Sequence, residues 1–180
     1  MRAQAKTINF GIMAAYAEIY QRYKARILEQ ELDVSEFVNR SSATTVPDAT
    51  EGDLVGKLDI PRIGISVIVL EGVESSTLRT AAGHVPGTAS PGGEGNAAIA
   101  AHRDTFFRNL REIRSGDRIQ ISTLRGKYAY IVESTEIVGP EDTPVLESKG
   151  YPELTLITCY PFYFIGPAPK RFIVHALEAE

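Results

Sequence analysis

Ile8, Ile12, Ala15, Ile19, Tyr23 and Ile27 recur every three or four positions, with polar and charged residues from Glu18 to Glu29 between them. That period predicts one amphipathic helix over residues 7–32, laid against the rest of the chain or a partner. Residues 39–51 are small and polar around Pro47 and read as a linker. From Gly52 onward the pattern turns to short β-branched runs. Val55–Ile60 and Ile65–Leu70 are joined by residues 61–64. Arg118–Thr123 and Lys127–Ser134 flank Leu124-Arg125-Gly126. Leu154–Cys159 and Arg171–Leu177 come last, and Asn96–Ala101 is a further strand-like run. Closely spaced short strands with turn residues between them predict a mainly β fold, a barrel or a sandwich. The chain thus divides into a helix and linker, residues 1–51, and a β domain, residues 52–180.

A chain of 180 residues accommodates one domain and an extension. Its formal net charge of −4 excludes a general basic footprint for nucleic acid. The longest apolar run near the N-terminus, Phe10 to Ala17, stops at Glu18 and is far short of the roughly 20 residues that span a bilayer. No secretory signal stands out. These observations fit a cytoplasmic chain or one whose membrane anchor precedes Met1.

Cys159 is the single cysteine, so no intramolecular disulfide forms. A lone cysteine commonly packs as a small hydrophobe, but the surroundings of this one are unusual. It ends a strand-like run and is followed by Tyr160-Pro161 and then by an irregular stretch to Lys170. Pro cannot donate to a central ladder, so the strand stops near the thiol and leaves it at the mouth of a sheet. A free thiol titrates near 8.5, so only roughly 3% is thiolate at pH 7, and a nucleophile needs a basic or cationic partner. His102 closes a strand-like run in the same way and precedes Arg103-Asp104. His84 lies in a Gly-rich segment, and His175 and Arg171 lie in the last strand. Spacing alone does not say which approaches Cys159. A metal site from His84, His102, His175 and Cys159 lacks any CxxC, HxH or HExxH spacing.

The segment Thr155-Leu156-Ile157-Thr158-Cys159-Tyr160-Pro161, followed by Arg171-Phe172-Ile173-Val174, resembles the C-terminal signature of sortases. Gly83-His84-Val85-Pro86-Gly87-Thr88 and Ala101-His102-Arg103-Asp104-Thr105-Phe106-Phe107 are similar to that family's histidine region, with Ala101 where Gly is usual. Gly56-Lys57-Leu58-Asp59-Ile60-Pro61 is similar to its first strand. The details are most like class D, with class E the alternative. The resemblance implies a closed eight-stranded β-barrel with short helices, preceded by the N-terminal helix. It implies a cysteine transpeptidase with Cys159 as nucleophile, His102 as general acid and then base, and Arg171 as the group that positions substrate or stabilises the oxyanion. Substrate-binding positions on this reading are His84, Thr158, Tyr160, Pro144, Val145 and Leu146. No cofactor or metal is expected.

The partners implied are the sorting signal of a secreted protein, cleaved at a Thr carbonyl, and an amine from peptidoglycan or its precursor. The implied location is the outer face of a bacterial membrane, with an N-terminal anchor. Residues 133–152 supply the substrate loop, with Thr143-Pro144 as a helix start. The acids Glu133, Glu136, Glu141 and Asp142 match no defined calcium loop and read as a solvated face. Two rivals remain: another Cys–His hydrolase, which would cleave without transfer, and a non-enzymatic β-barrel binding module with Cys159 in its core.

Overall fold

The computed structural model describes residues 20–22, 24–30, 50–164 and 166–179. Within them the N-terminal helix, α1, covers residues 20–22 and 24–30. The remainder of the helix expected over 7–32, and most of the linker, lie outside the described residues. β1 (Leu54–Ile60) and β2 (Ile65–Glu71) pair around a single 3-10 turn, Pro61–Ile63. Pro61 presets the backbone of that turn. Gly64 ends it at φ 64°, a conformation that costs glycine nothing.

A short helix α2 (Ser75–Thr80) leads into β3 (Ala82–His84) and β4 (Asn96–Ala100). Then follow a 3-10 turn (Arg108–Glu112), β5 (Arg118–Thr123), β6 (Gly126–Val138), a second 3-10 segment (Thr143–Leu146), β7 (Glu153–Tyr160) and β8 (Lys170–Glu178). The eight strands close into a barrel in the order β1-β2-β3-β4-β7-β8-β6-β5. This is the mainly β, eight-stranded closed barrel with a leading helix that the resemblance implied.

β3 and α2 have no counterpart in the periodicity. β3 is three residues long and includes Gly83, where a Cβ would stand 2.2 Å from the Gly72 carbonyl oxygen. That close approach demands glycine and removes the side chain on which a pattern would depend. β6 runs beyond the expected 127–134 because Gly126–Ile131 pair with β5 and Tyr130–Val138 pair with β8. Glu136, expected in a loop, is therefore a strand residue.

Leu58, Val67, Ile99, Ile121, Leu156 and Val174 face the barrel interior and are buried there. The alternate residues of β2, Ile68 and Leu70, form a second apolar cluster with Ala81 against Tyr20 and Ala25 of α1. β2 is buried on both faces, which explains why its sequence does not alternate. Among the described residues of α1 the fully buried one is Leu28, not Ile27. The two lie about 100° apart on the helix, and spacings of three or four do not distinguish them. β3 reaches only Val69–Glu71 of β2, and the backbone amide of Ile68 donates instead to the Gln21 side-chain oxygen.

The barrel end at which β1 stops and β5 begins holds a charged clasp. Asp117 is buried and accepts from the Arg62 guanidinium and, at 2.7 Å, from the Arg114 backbone N–H. The Arg62 hydrogen bond chiefly holds its carboxyl below the ordinary carboxylate range. A carboxyl depressed in the folded state stabilises the fold above its unfolded pKa, and that contribution is lost as pH falls through the folded value. Asp117→Asn is thus expected to be less stable than the parent at pH 7. The gap should narrow as the pH drops below about 4, as measured by urea unfolding across that range.

Candidate active site

Parallel pairing of β4 with β7 sets Asn96 beside Glu153 and Ala100 beside Ile157. It continues one step further, because the Ala101 N–H donates to the Ile157 carbonyl at 3.2 Å. Continued past the end of β4, the same register would bring position 102 level with Cys159. On the other side of β7, Cys159 lies directly opposite Arg171 of β8. Neighbouring strands are about 4.8 Å apart, so Arg171 stands beside the thiol on an adjacent strand, and His102 follows the end of β4 at the same barrel end. Leu156 and Val174 point inward to the core. By two-residue alternation Cys159 and Arg171 point outward, as does His102 counted from Ile99.

His102 is exposed, and its carbonyl accepts from the Phe107 N–H at 3.1 Å, which winds the following residues into a tight turn. Among the described residues no carboxylate is hydrogen-bonded to its ring. Cys159 is half-buried. Arg171 Nη1 donates to the carbonyls of Lys170 at 3.0 Å and Ala168 at 3.3 Å. Its other side-chain nitrogens make no hydrogen bond among the described residues.

The remaining candidate residues fall into two groups. Thr158 is 2% exposed and its hydroxyl donates to the Ala101 carbonyl at 2.7 Å, so it ties β7 to β4 one residue before His102. His84 is also buried. Its Nδ1 lies 2.8 Å from Glu71 Oε2 and its Nε2 2.8 Å from the Ala89 carbonyl oxygen. It pairs with Ile99, about 10 Å along the strand direction from His102. His175 Nε2 is 2.8 Å from Glu136 Oε1. Tyr160 stacks on Phe172, with ring centroids 6.4 Å apart, and meets Phe162 edge-on at 6.1 Å. Phe162 and Phe172 in turn pack on the core, closing the barrel end beneath the site.

Pro144, Val145 and Leu146 form the 3-10 segment between β6 and β7. They are held over the outer face of β4 by Asn96, a residue that sequence reasoning missed. Asn96 is buried, accepts from the Thr155 hydroxyl at 2.9 Å and donates from Nδ2 to the Val145 carbonyl at 3.1 Å. Asn96→Ala breaks both bonds and leaves the Thr155 hydroxyl unpaired, which costs about 1–3 kcal/mol. The expected outcome is a lower urea midpoint together with a raised KM for any ligand that docks against the segment. Arg103 is the second missed residue. It bridges the His102 turn to the β7–β8 connection, and its only signal in the sequence is a charge beside the candidate histidine.

The family model described as the sortase domain matches residues 58–179. Sortase D of Bacillus subtilis is 34% identical over 125 residues, which cover 69% of this chain and 63% of that protein. Sortase A of Bacillus anthracis is 27% identical over 159 residues, covering 82% and 73%. The solved structure of a Clostridium perfringens Sortase D5 transpeptidase superposes with a TM-score of 0.74 at 25% identity, covering 89% of this chain and 99% of that one. With the barrel order, the thiol-bearing strand end and the matched stretch in agreement, the chain belongs to the sortase family, whose members are cysteine transpeptidases.

Proposed function

We propose that this chain is itself a class D-like sortase that cleaves a C-terminal sorting signal through a thioacyl intermediate on Cys159. The observation that supports it most is the register that sets Arg171 opposite Cys159 and ends β4, just before His102, against β7 at the same barrel end. In this reading the Cys159 thiolate attacks the Thr carbonyl of the signal. The oxyanion that forms is met by the Arg171 guanidinium, a charged donor aimed where negative charge develops. His102 gives its proton to the departing amine as the C–N bond breaks, leaving a thioester. An amine from peptidoglycan or its precursor then attacks the thioester carbonyl, His102 takes the proton, and Cys159 departs as thiolate.

Substrate would lie on the outer face of β4 and β7, with Pro144, Val145 and Leu146 as one wall and Tyr160 at the mouth. Thr158 and His84, being buried with their polar atoms engaged, would support the site from beneath. Residues 1–51 would lead from a membrane anchor to the catalytic barrel, residues 52–180, on the outer face of the cell membrane.

The test is incubation with a library of sorting-type peptides, with and without an amine, followed by intact-protein mass spectrometry. A thioacyl adduct on Cys159 that the amine discharges to a transfer product is expected. Hydrolysis despite abundant amine would favour a simple hydrolase, and an unreactive thiol would favour a binding module.

A further inference from the structure

Arg103 follows His102 directly, yet its side chain reaches across to the connection between β7 and β8. A single nitrogen, Nη2, donates to the Phe164 carbonyl at 2.7 Å and the Gly166 carbonyl at 3.0 Å. The guanidinium carbon sits 5.8 Å from the centroid of the Phe164 ring, within cation–π range. Nη1 is buried and has no hydrogen-bond partner among the described residues. The connection it grips joins Cys159 to Arg171, while its own backbone belongs to the turn that presents His102. Neither segment has a strand ladder at that point to hold it against the other.

We propose that Arg103 is a positioning residue for transpeptidation, setting the His102 turn and the Cys159–Arg171 connection at a fixed separation. The inference rests on the reading of Cys159, His102 and Arg171 given above. Arg103 takes no proton and touches no reacting atom. Because Nη2 alone makes both hydrogen bonds, one ammonium nitrogen can replace it, and lysine also removes the buried unpaired atom. This separates a clasp from a role in bidentate recognition, which lysine would not rescue.

The experiment compares Arg103→Ala, Arg103→Met and Arg103→Lys with the parent in peptide turnover and in hydrogen exchange of residues 102–107 and 161–164. With the clasp gone, kcat is expected to fall about 10- to 100-fold, the scale of a small misplacement of reacting groups. The shape of the pH–rate profile should be kept, since no group that titrates in that range is removed. Amide exchange in both segments should rise in the alanine and methionine variants and return towards the parent in the lysine variant, with kcat restored to within about threefold. Methionine keeps the apolar stem over Phe164 and stands in if the alanine variant does not fold. Unchanged exchange, turnover within twofold of the parent, or a lysine variant as poor as alanine overturns the proposal. A parent enzyme that forms no adduct on Cys159 counts instead against the functional reading, and the exchange measurement still decides whether the clasp exists.

Discussion

Cys159→Ala is expected to form no thioacyl adduct and to lose peptide turnover by about 10⁴-fold or more, the scale seen when a nucleophile of a coupled catalytic group is deleted. The chain has no second cysteine to substitute for the first, so residual turnover has no thioester route. The side chain is half-buried on the outer barrel face and packs in neither apolar cluster, so the variant should fold and still bind peptide. Intact mass after incubation with a reactive peptide, with binding measured by fluorescence anisotropy, checks both parts. Turnover above about one hundredth of the parent rate would remove Cys159 as nucleophile, whatever the fold. His102→Ala in the same assay should fall nearly as far, because the leaving amine then departs without a proton donor.

Arg171→Ala should lower kcat/KM by about 10²–10³-fold, the cost of deleting one donor from an oxyanion site. Arg171→Lys should lie nearer to the alanine variant than to the parent. Arg171 is directly opposite Cys159, and Nη1 is fixed by two carbonyls of its own loop. That anchoring aims a planar group whose remaining nitrogens stay available, and a flexible ammonium retains the charge but not the plane. Stability should change little, since the β7–β8 ladder is made by backbone groups. Steady-state kinetics with a cognate peptide checks this, and full activity in the lysine variant would mean that only charge matters at position 171.

The strand that carries Cys159 was legible because Leu154, Leu156 and Ile157 alternate with β-branched threonines up to the thiol and Tyr160-Pro161 follows at once. His102 was legible as a residue at a strand end, but not as the neighbour of Cys159. That β4 and β7 end together depends on their parallel register, and nothing local to either segment encodes it. Asn96 and Arg103 were invisible for the same reason: their partners, Thr155 and Val145 for one and Phe164 and Gly166 for the other, are distant in sequence, and three of the four bonds go to backbone carbonyls that any residue supplies. His84 shows the reverse. A histidine in a Gly-rich segment reads as accessible, yet its nitrogens are enclosed between Glu71 and Ala89. In α1, one helical position separates the expected buried residue from Leu28, and only docking on β2 decides between them.

The strand order has one more consequence, for assembly. Strands β1 to β6 alone make a continuous open sheet, β4-β3-β2-β1-β5-β6, whose two free edges are β4 and β6. The last two strands, β7 and β8, insert as a hairpin between those edges and complete the circle. That hairpin also bears Cys159 and Arg171. A growing chain therefore makes its final closing piece and its proposed reactive thiol in the same stretch of synthesis. Until they dock, β4 offers an unpaired edge of the kind that recruits strands from other molecules. Competence and protection from mispairing arrive together, and a chain cut before β7 would lack both.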